Sequence, residues 1–365
     1  MRAGSGEVAS RPFDPFGFLY VQIAALSPGS FALVMATGII SNACFIEGQR
    51  VVSDALFALN VVAFCWLLIM TALRLILFWP ALRADLVDPR QVFGFFTMVA
   101  GSCVLGAGMS LRGFAAVALA LWVFALVLWL GLIYLGFGVL ALRNRTGGAD
   151  VIHGGWLIAI VGTEALVILG TIVAPAFGEF GGGVFVLIHM LWGVGLALYG
   201  IFIVLFAQRL FFSDVAPKDL TPVLWIVMGA AAITTNAGST LILTASGIAF
   251  LNSMRPFIDG VTLIVWAWAT WWIPMLLLFG VWKHGVNRIP LSYTPMLWGL
   301  VFPIGMYSVA TVRLSLATDF PTLQVVSRAI MWIALAVWLA TAIGLAVASW
   351  RRLRDGTRFD ELRAA

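Results

Sequence analysis

The chain has 365 residues, of which 62% are apolar and 10% charged, and its mean hydropathy is +1.05. Soluble domains carry about 25% charged residues, so this composition excludes a string of soluble domains and points to an integral membrane protein with many spans. The net charge of +5 comes from Lys and Arg scattered between apolar runs, which excludes a basic face for nucleic acid and speaks to topology instead.

Residues 1–27 read as a polar cytoplasmic N-terminus carrying Arg2 and Arg11, with a short interfacial helix over 16–26 that is too short to span. Apolar segments follow at 28–46, 54–79, 91–110, 113–142, 155–174, 183–212, 221–246, 256–282, 295–317 and 322–350. Each is long enough for a bilayer core of about 30 Å, which predicts ten crossings within a transmembrane domain over 28–350. A basic cytoplasmic tail, 351–365, closes the chain.

Ten crossings leave both termini on one side. On that side fall Arg2, Arg11, Arg74, Arg83, Arg90, Arg143, Arg145, Arg209, Lys218, Lys283, Arg288, Arg351, Arg352, Arg354, Arg358 and Arg363. Only Arg50, Arg112, Arg255, Arg313 and Arg328 fall on the other. Sixteen against five predicts cytoplasmic termini by the positive-inside rule. The Asn144-Arg145-Thr146 sequon is then cytoplasmic and no glycosylation site.

Cys44, Cys65 and Cys103 lie inside apolar stretches without a CxxC, so they read as small core residues rather than a disulfide framework or zinc site. Haem and copper enzymes need several imidazoles at matched depth. Of His153, His189 and His284 only His189 is well inside an apolar segment, so neither cofactor nor metal is expected. The clustered tryptophans Trp271, Trp272 and Trp282 suit lipid-facing or interfacial anchoring better than cofactor stacking.

Odd-numbered segments are rich in Gly, Ala, Ser and Thr, and even-numbered ones are mostly longer and greasier. Small residues let helix backbones approach, and polar groups in a bilayer are tolerated against protein or water. Odd helices are therefore expected inside and even helices against lipid. The odd segments start near 28, 91, 154, 221 and 294, several with Pro or Gly and an aromatic residue soon after, a weak fivefold repeat of a helical hairpin. Five parallel inner helices would form a ring with a narrow axial path; the other reading of the small residues is a solid bundle packed closely throughout.

Three stretches carry a family resemblance: SPGSFALVMATGIIS (27–41), MGAAAITTNAGSTL (228–241) and, most specifically, WGLVFPIGMYSVAT (298–311). Over about 28–350 the chain resembles the tellurite-resistance and C4-dicarboxylate transporter family, relatives of plant guard-cell slow anion channels. The resemblance implies an all-α membrane fold of ten helices, a pseudo-fivefold ring of five hairpins around a central pore. It implies small anions and lipid as partners, a homotrimer, and a phenylalanine plug in the ninth helix, which here is Phe302 directly before Pro303.

The residues themselves are consistent with that role. Phe302 is about nine residues into its segment, near 13 Å deep at 1.5 Å per residue, and Pro303 removes a backbone donor and bends the helix. The alternative is an ordinary packed ring among 27 phenylalanines. Glu164 is the only acidic residue deep in an odd segment. It reads as a neutral acid bonded to hydroxyls, a proton-coupling group, or a paired structural charge; Arg313 is a poor partner, about 15 Å further along a parallel helix. Arg313 either attracts anions at the outer mouth or reaches to headgroups. Thr37, Ser41, Thr234, Thr235, Asn236 and Ser239 are candidates for facing the pore or for bonding within the bundle.

Two transport readings follow: a gated anion channel or carrier, and a proton-coupled exporter of C4-dicarboxylates, sulfite or tellurite-type oxyanions, in the cell (inner) membrane. A membrane-embedded enzyme or receptor would need a nucleophile, base or metal constellation at matched depth, which the spans do not supply.

Overall fold

The computed structural model describes residues 15–143 and 154–354. Arg2, Arg11, the 144–146 sequon with Arg145, His153, and Arg358 and Arg363 of the tail lie outside the described residues.

All regular structure among the described residues is helical. In chain order the helices are α1 Pro15–Ala24, α2 Ala32–Ile46, α3 Arg50–Leu77, α4 Trp79–Leu86, α5 Phe96–Leu111, α6 Ala115–Arg143, α7 Ile158–Val173, α8 Gly181–Phe212, α9 Ile226–Leu243, α10 Ala249–Ser253, α11 Arg255–Gly280, α12 Trp298–Thr318 and α13 Thr322–Arg354. Nine helical stretches of the described chain are long and apolar enough to cross a membrane. One of them, Gly154–Phe212, has 59 residues, far more than the roughly 20 that one crossing needs. It is interrupted by the 3-10 segment Ala174–Phe180, where Gly178 sits at φ 54°, ψ −122° and no helix can continue. On either side of that break α7 and α8 pack against each other.

Five helices, α2, α5, α7, α9 and α12, are opened by a 3-10 turn: Pro28–Phe31, Val92–Phe95, Gly154–Leu157, Pro222–Trp225 and Pro295–Leu297. Proline suits such starts because its missing N–H is one the helix would leave unbonded anyway. Successive turns pack on one another, and the helices behind them follow suit: α2 on α5, α5 on α7, α7 on α9, α9 on α12, and α12 back on α2. Each of the five also packs against an outer helix that follows it in the chain, α3, α6, α8, α11 and α13 respectively.

Burial separates the two sets. In its most apolar stretch the Pro222–Leu243 span is 94% buried, whereas Thr322–Arg351 is 17% buried. The outer helices leave large apolar residues uncovered, among them Val62, Ile69, Val127, Ile201, Ile264 and Ile333, the pattern of helices whose outer face meets hydrocarbon. Cys65, expected in the core, is on this uncovered face of α3, while Cys44 and Cys103 are buried. Trp272 is a second correction: its neighbours Trp271 and Trp282 are exposed, but Trp272 is fully buried with its ring against Phe206 of α8, because a helix turns neighbouring residues about 100° apart.

Four outer helices also tie themselves to the next inner helix of the cycle through a tryptophan. Trp129 Nε1 donates to Thr163 Oγ1 at 2.7 Å, Trp192 Nε1 to the Thr234 carbonyl at 3.4 Å, Trp266 Nε1 to Thr311 Oγ1 at 3.1 Å, and Trp338 Nε1 to Thr37 Oγ1 at 3.0 Å. The contacts run from α6 to α7, α8 to α9, α11 to α12, and α13 to α2. At the end of the opening turns, the buried Arg74 binds Asp85 at 2.8 Å and the Ala24 carbonyl at 3.2 Å, docking α4 and α1 against α3.

Candidate functional site

The five inner helices enclose a cavity of about 190 Å³. Its walls are Ile39, Asn42 and Ile46 of α2; Cys103, Val104, Ala107, Ser110 and Leu111 of α5; Ala165, Ile168 and Ile172 of α7; Ile233 and Asn236 of α9; and Met306, Val309 and Arg313 of α12. Most of these come from the middle or second half of their helix, so the five helices run in the same direction and converge there. The sequence spacing explains the lining: 39, 42 and 46, then 165, 168 and 172, then 306, 309 and 313 each follow one helical stripe.

Phe302 extends the last stripe by one turn. It precedes Met306 by four residues, about 6 Å of rise, toward the opening turns, and is only 2% exposed. Pro303 within α12 leans on α9 at Gly229, where an added Cβ would stand 2.7 Å from Pro303 Cγ. The close approach of α9 and α12 therefore requires the missing side chain.

Of the other candidate residues, Arg313 and Asn236 line the cavity. Asn236 Nδ2 reaches Met306 Sδ at 3.6 Å, and its Oδ1 is buried without a partner. Arg313 makes no hydrogen bond or ion pair among the described residues, unlike Arg112 with Asp54, Arg255 with Asp259 and Arg328 with Glu47. Arg50 stacks over the Phe45 ring at 3.5 Å.

Several hydroxyls point elsewhere. Thr37 accepts from Trp338 of an outer helix, and Ser41 donates to the Ser53 carbonyl of α3 at 2.7 Å. Thr234 and Thr235 donate to carbonyls one turn back, Ala230 at 2.8 Å and Ala231 at 3.0 Å, the usual way a hydroxyl is satisfied inside a helix. Ser239 is fully buried and its Oγ has no partner.

Glu164 is fully buried beside the cavity wall rather than in its lining. Its Oε1 accepts from Thr234 Oγ1 at 3.4 Å, its Oε2 has no partner, and the carboxylate packs on Gly195 of α8 where any Cβ would collide with it. Glu164 and Arg313 form no pair. Asn42 and Ser110, which sequence reasoning passed over, share the lining; reading the stripe through Ile39 and Ile46 would have found Asn42. Among the described residues no cluster of His, Cys, Asp and Glu could hold a metal ion.

Residues 25–346 match the voltage-dependent anion channel family, SLAC1. An uncharacterized membrane protein of Mycobacterium tuberculosis is 39% identical over 142 residues, 39% of this chain and 71% of its own length. An uncharacterized transporter of Methanocaldococcus jannaschii is 24% identical over 86% of this chain and 92% of its own, and a sulfite efflux pump of Arthroderma otae is 21% identical over 92% of each.

Proposed function

The chain belongs to the voltage-dependent anion channel family, of the tellurite-resistance and C4-dicarboxylate transporter type, and from that premise we propose that it passes small anions through an axial path closed by Phe302. One observation carries the reading: Phe302, Met306, Val309 and Arg313 share a stripe of α12, and the last three line the cavity between the five inner helices. A ring one turn below that cavity obstructs the axis sterically and by dewetting. With α7 and α8 counted separately the chain has ten spans, arranged as five hairpins in a pseudo-fivefold ring of one transmembrane domain. The cyclic packing of the inner helices and the outer-to-inner tryptophan contacts support that arrangement. In this account both termini face the cytoplasm of a cell (inner) membrane, and the channel assembles as a homotrimer, as the family resemblance implies. The protein is a transporter and not an enzyme.

The test is flux from proteoliposomes carrying the Phe302→Ala variant, loaded in turn with the potassium salts of chloride, nitrate, sulfite and malate. Release of at least one anion above protein-free vesicles is expected once a potassium ionophore supplies the balancing cation current, with no potassium release before it is added; potassium release equal to anion release without ionophore would overturn the anion assignment.

A second reading, proton-coupled export, is favoured by the unpartnered Glu164 Oε2, an open position on a carboxyl group at mid-span. In that mechanism Glu164→Gln removes the acceleration of flux by an inward proton gradient while leaving the protein folded. Unchanged pH dependence in the variant eliminates coupling through Glu164.

A further inference from the structure

We propose that the cavity at the far end of the inner helices is a binding site for a monovalent carboxylate with an apolar body, of about six to eight heavy atoms, docked through its single charge on Arg313. The inference rests on reading this cavity as the outer vestibule of the anion path.

Charge sets the ligand's valence. The site receives the C-terminal halves of five parallel helices, whose unpaired carbonyls carry partial negative charge. An anion there needs a cation, and Arg313 is the one cationic side chain in the lining. The remaining arginines placed at this end, Arg50, Arg112, Arg255 and Arg328, are engaged by a ring or a carboxylate, whereas the Arg313 guanidinium has no such partner among the described residues. One guanidinium matches one carboxylate, to which its fork of donors can bind bidentately. A second ionised group would enter a wall with no cation to meet it, which penalises dicarboxylates and doubly charged oxyanions.

The walls set the body. Ile46, Ile168, Ile172, Ile233, Met306 and Val309 present apolar surface, while apart from Arg313 the polar side chains of the lining are Asn42, Ser110 and Asn236. A cavity of about 190 Å³ exceeds the roughly 150 Å³ apolar cavity that accepts benzene. Inorganic anions would leave most of this wall uncovered; a four- to six-carbon carboxylate of about six to eight heavy atoms would cover it.

The experiment is isothermal titration of the full-length protein in detergent micelles with the sodium salts of acetate, butyrate, hexanoate and succinate, on wild type, Arg313→Gln and Arg313→Lys. Expected is one site whose affinity rises by about fourfold per methylene from acetate to hexanoate, with succinate roughly tenfold weaker than butyrate. Arg313→Gln abolishes binding and Arg313→Lys retains it in weakened form. Equal affinity for succinate and butyrate, no dependence on chain length, undiminished binding to Arg313→Gln, or no binding to wild type would each overturn the assignment, and the wild-type series needs no variant to fold. Chloride flux through Phe302→Ala in liposomes tests the path separately. Flux without carboxylate binding sinks the ligand alone; binding without flux leaves the site standing and contradicts the path.

Discussion

Gly229 holds the proposed gate segment in place by having no side chain. An alanine Cβ there would stand 2.7 Å from Pro303 Cγ, and a pyrrolidine ring inside a helix cannot swing aside as a flexible chain end can. Overpacking of this kind costs about 1 to 3 kcal/mol, so Gly229→Ala should melt earlier than wild type in detergent. Gly200→Ala is the control, because nothing lies within 4 Å of a Cβ at that exposed position of α8; it should be neutral or gain up to about 1 kcal/mol. An unchanged melting temperature for Gly229→Ala would mean that the α9 and α12 contact yields freely. At this scale the sequence discloses residue chemistry far better than direction. Glu164 is conspicuous as a buried acid from composition alone, yet nothing in one dimension says that it packs on Gly195 instead of facing the cavity. Thr37 and Thr234 are polar for the sake of an outer-helix indole or their own helix backbone, and a threonine's letter is the same in either role. Arg313 and Asn236 stand out in the sequence because a charge and an amide inside an apolar run have few places to go, whereas the buried face of Trp272 is set by α8 and not by its tryptophan neighbours.

Between elements, the recurring device is an indole N–H sent from an outer helix to the next inner helix. Trp338 makes this contact across the closure of the cycle, from α13 to Thr37 of α2. Trp338→Phe keeps most of the half-buried ring and removes the donor. Interhelical hydrogen bonds in membranes average about 0.6 kcal/mol and reach about 1.7, so a loss within that range is expected, read as a lower melting temperature. Trp350→Phe, at a position 67% exposed, should leave it unchanged. If both variants behave alike, the contact does nothing to close the cycle. The period of the hairpins was readable beforehand from the Pro and Gly starts, since such residues mark opening turns by backbone chemistry alone. Which outer helix clasps which inner helix was not, because that pairing depends on tertiary direction. The break at Gly178 was similarly readable as a gap between apolar segments, although the helical stretch from Gly154 to Phe212 passes through it.

Over the whole molecule, composition is the most informative feature, because the apolar excess requires a bilayer; the proposed orientation rests on the Lys and Arg asymmetry. With cytoplasmic termini and α7 and α8 as separate spans, reporter fusions after residues near 147 and 181 should report opposite compartments; the same compartment for both would overturn the hairpin count. The same arrangement gives the account its mechanism. Five inner helices point their C-terminal halves at one cavity, α12 contributes a stripe that runs from Arg313 to Phe302, and the aromatic ring lies one turn beyond the cavity on that stripe. Truncating an ordinary packed phenylalanine costs about 3 to 5 kcal/mol in soluble-protein terms and lowers yield without any gain in current, whereas truncating a plug opens a path, so the two roles differ in the sign of their effect. The decisive measurement is anion flux from liposomes containing equal amounts of folded wild-type and Phe302→Ala protein. The account predicts that Phe302→Ala raises the flux by roughly tenfold or more without any stimulus; flux no greater than wild type from normally expressed, folded variant would contradict it.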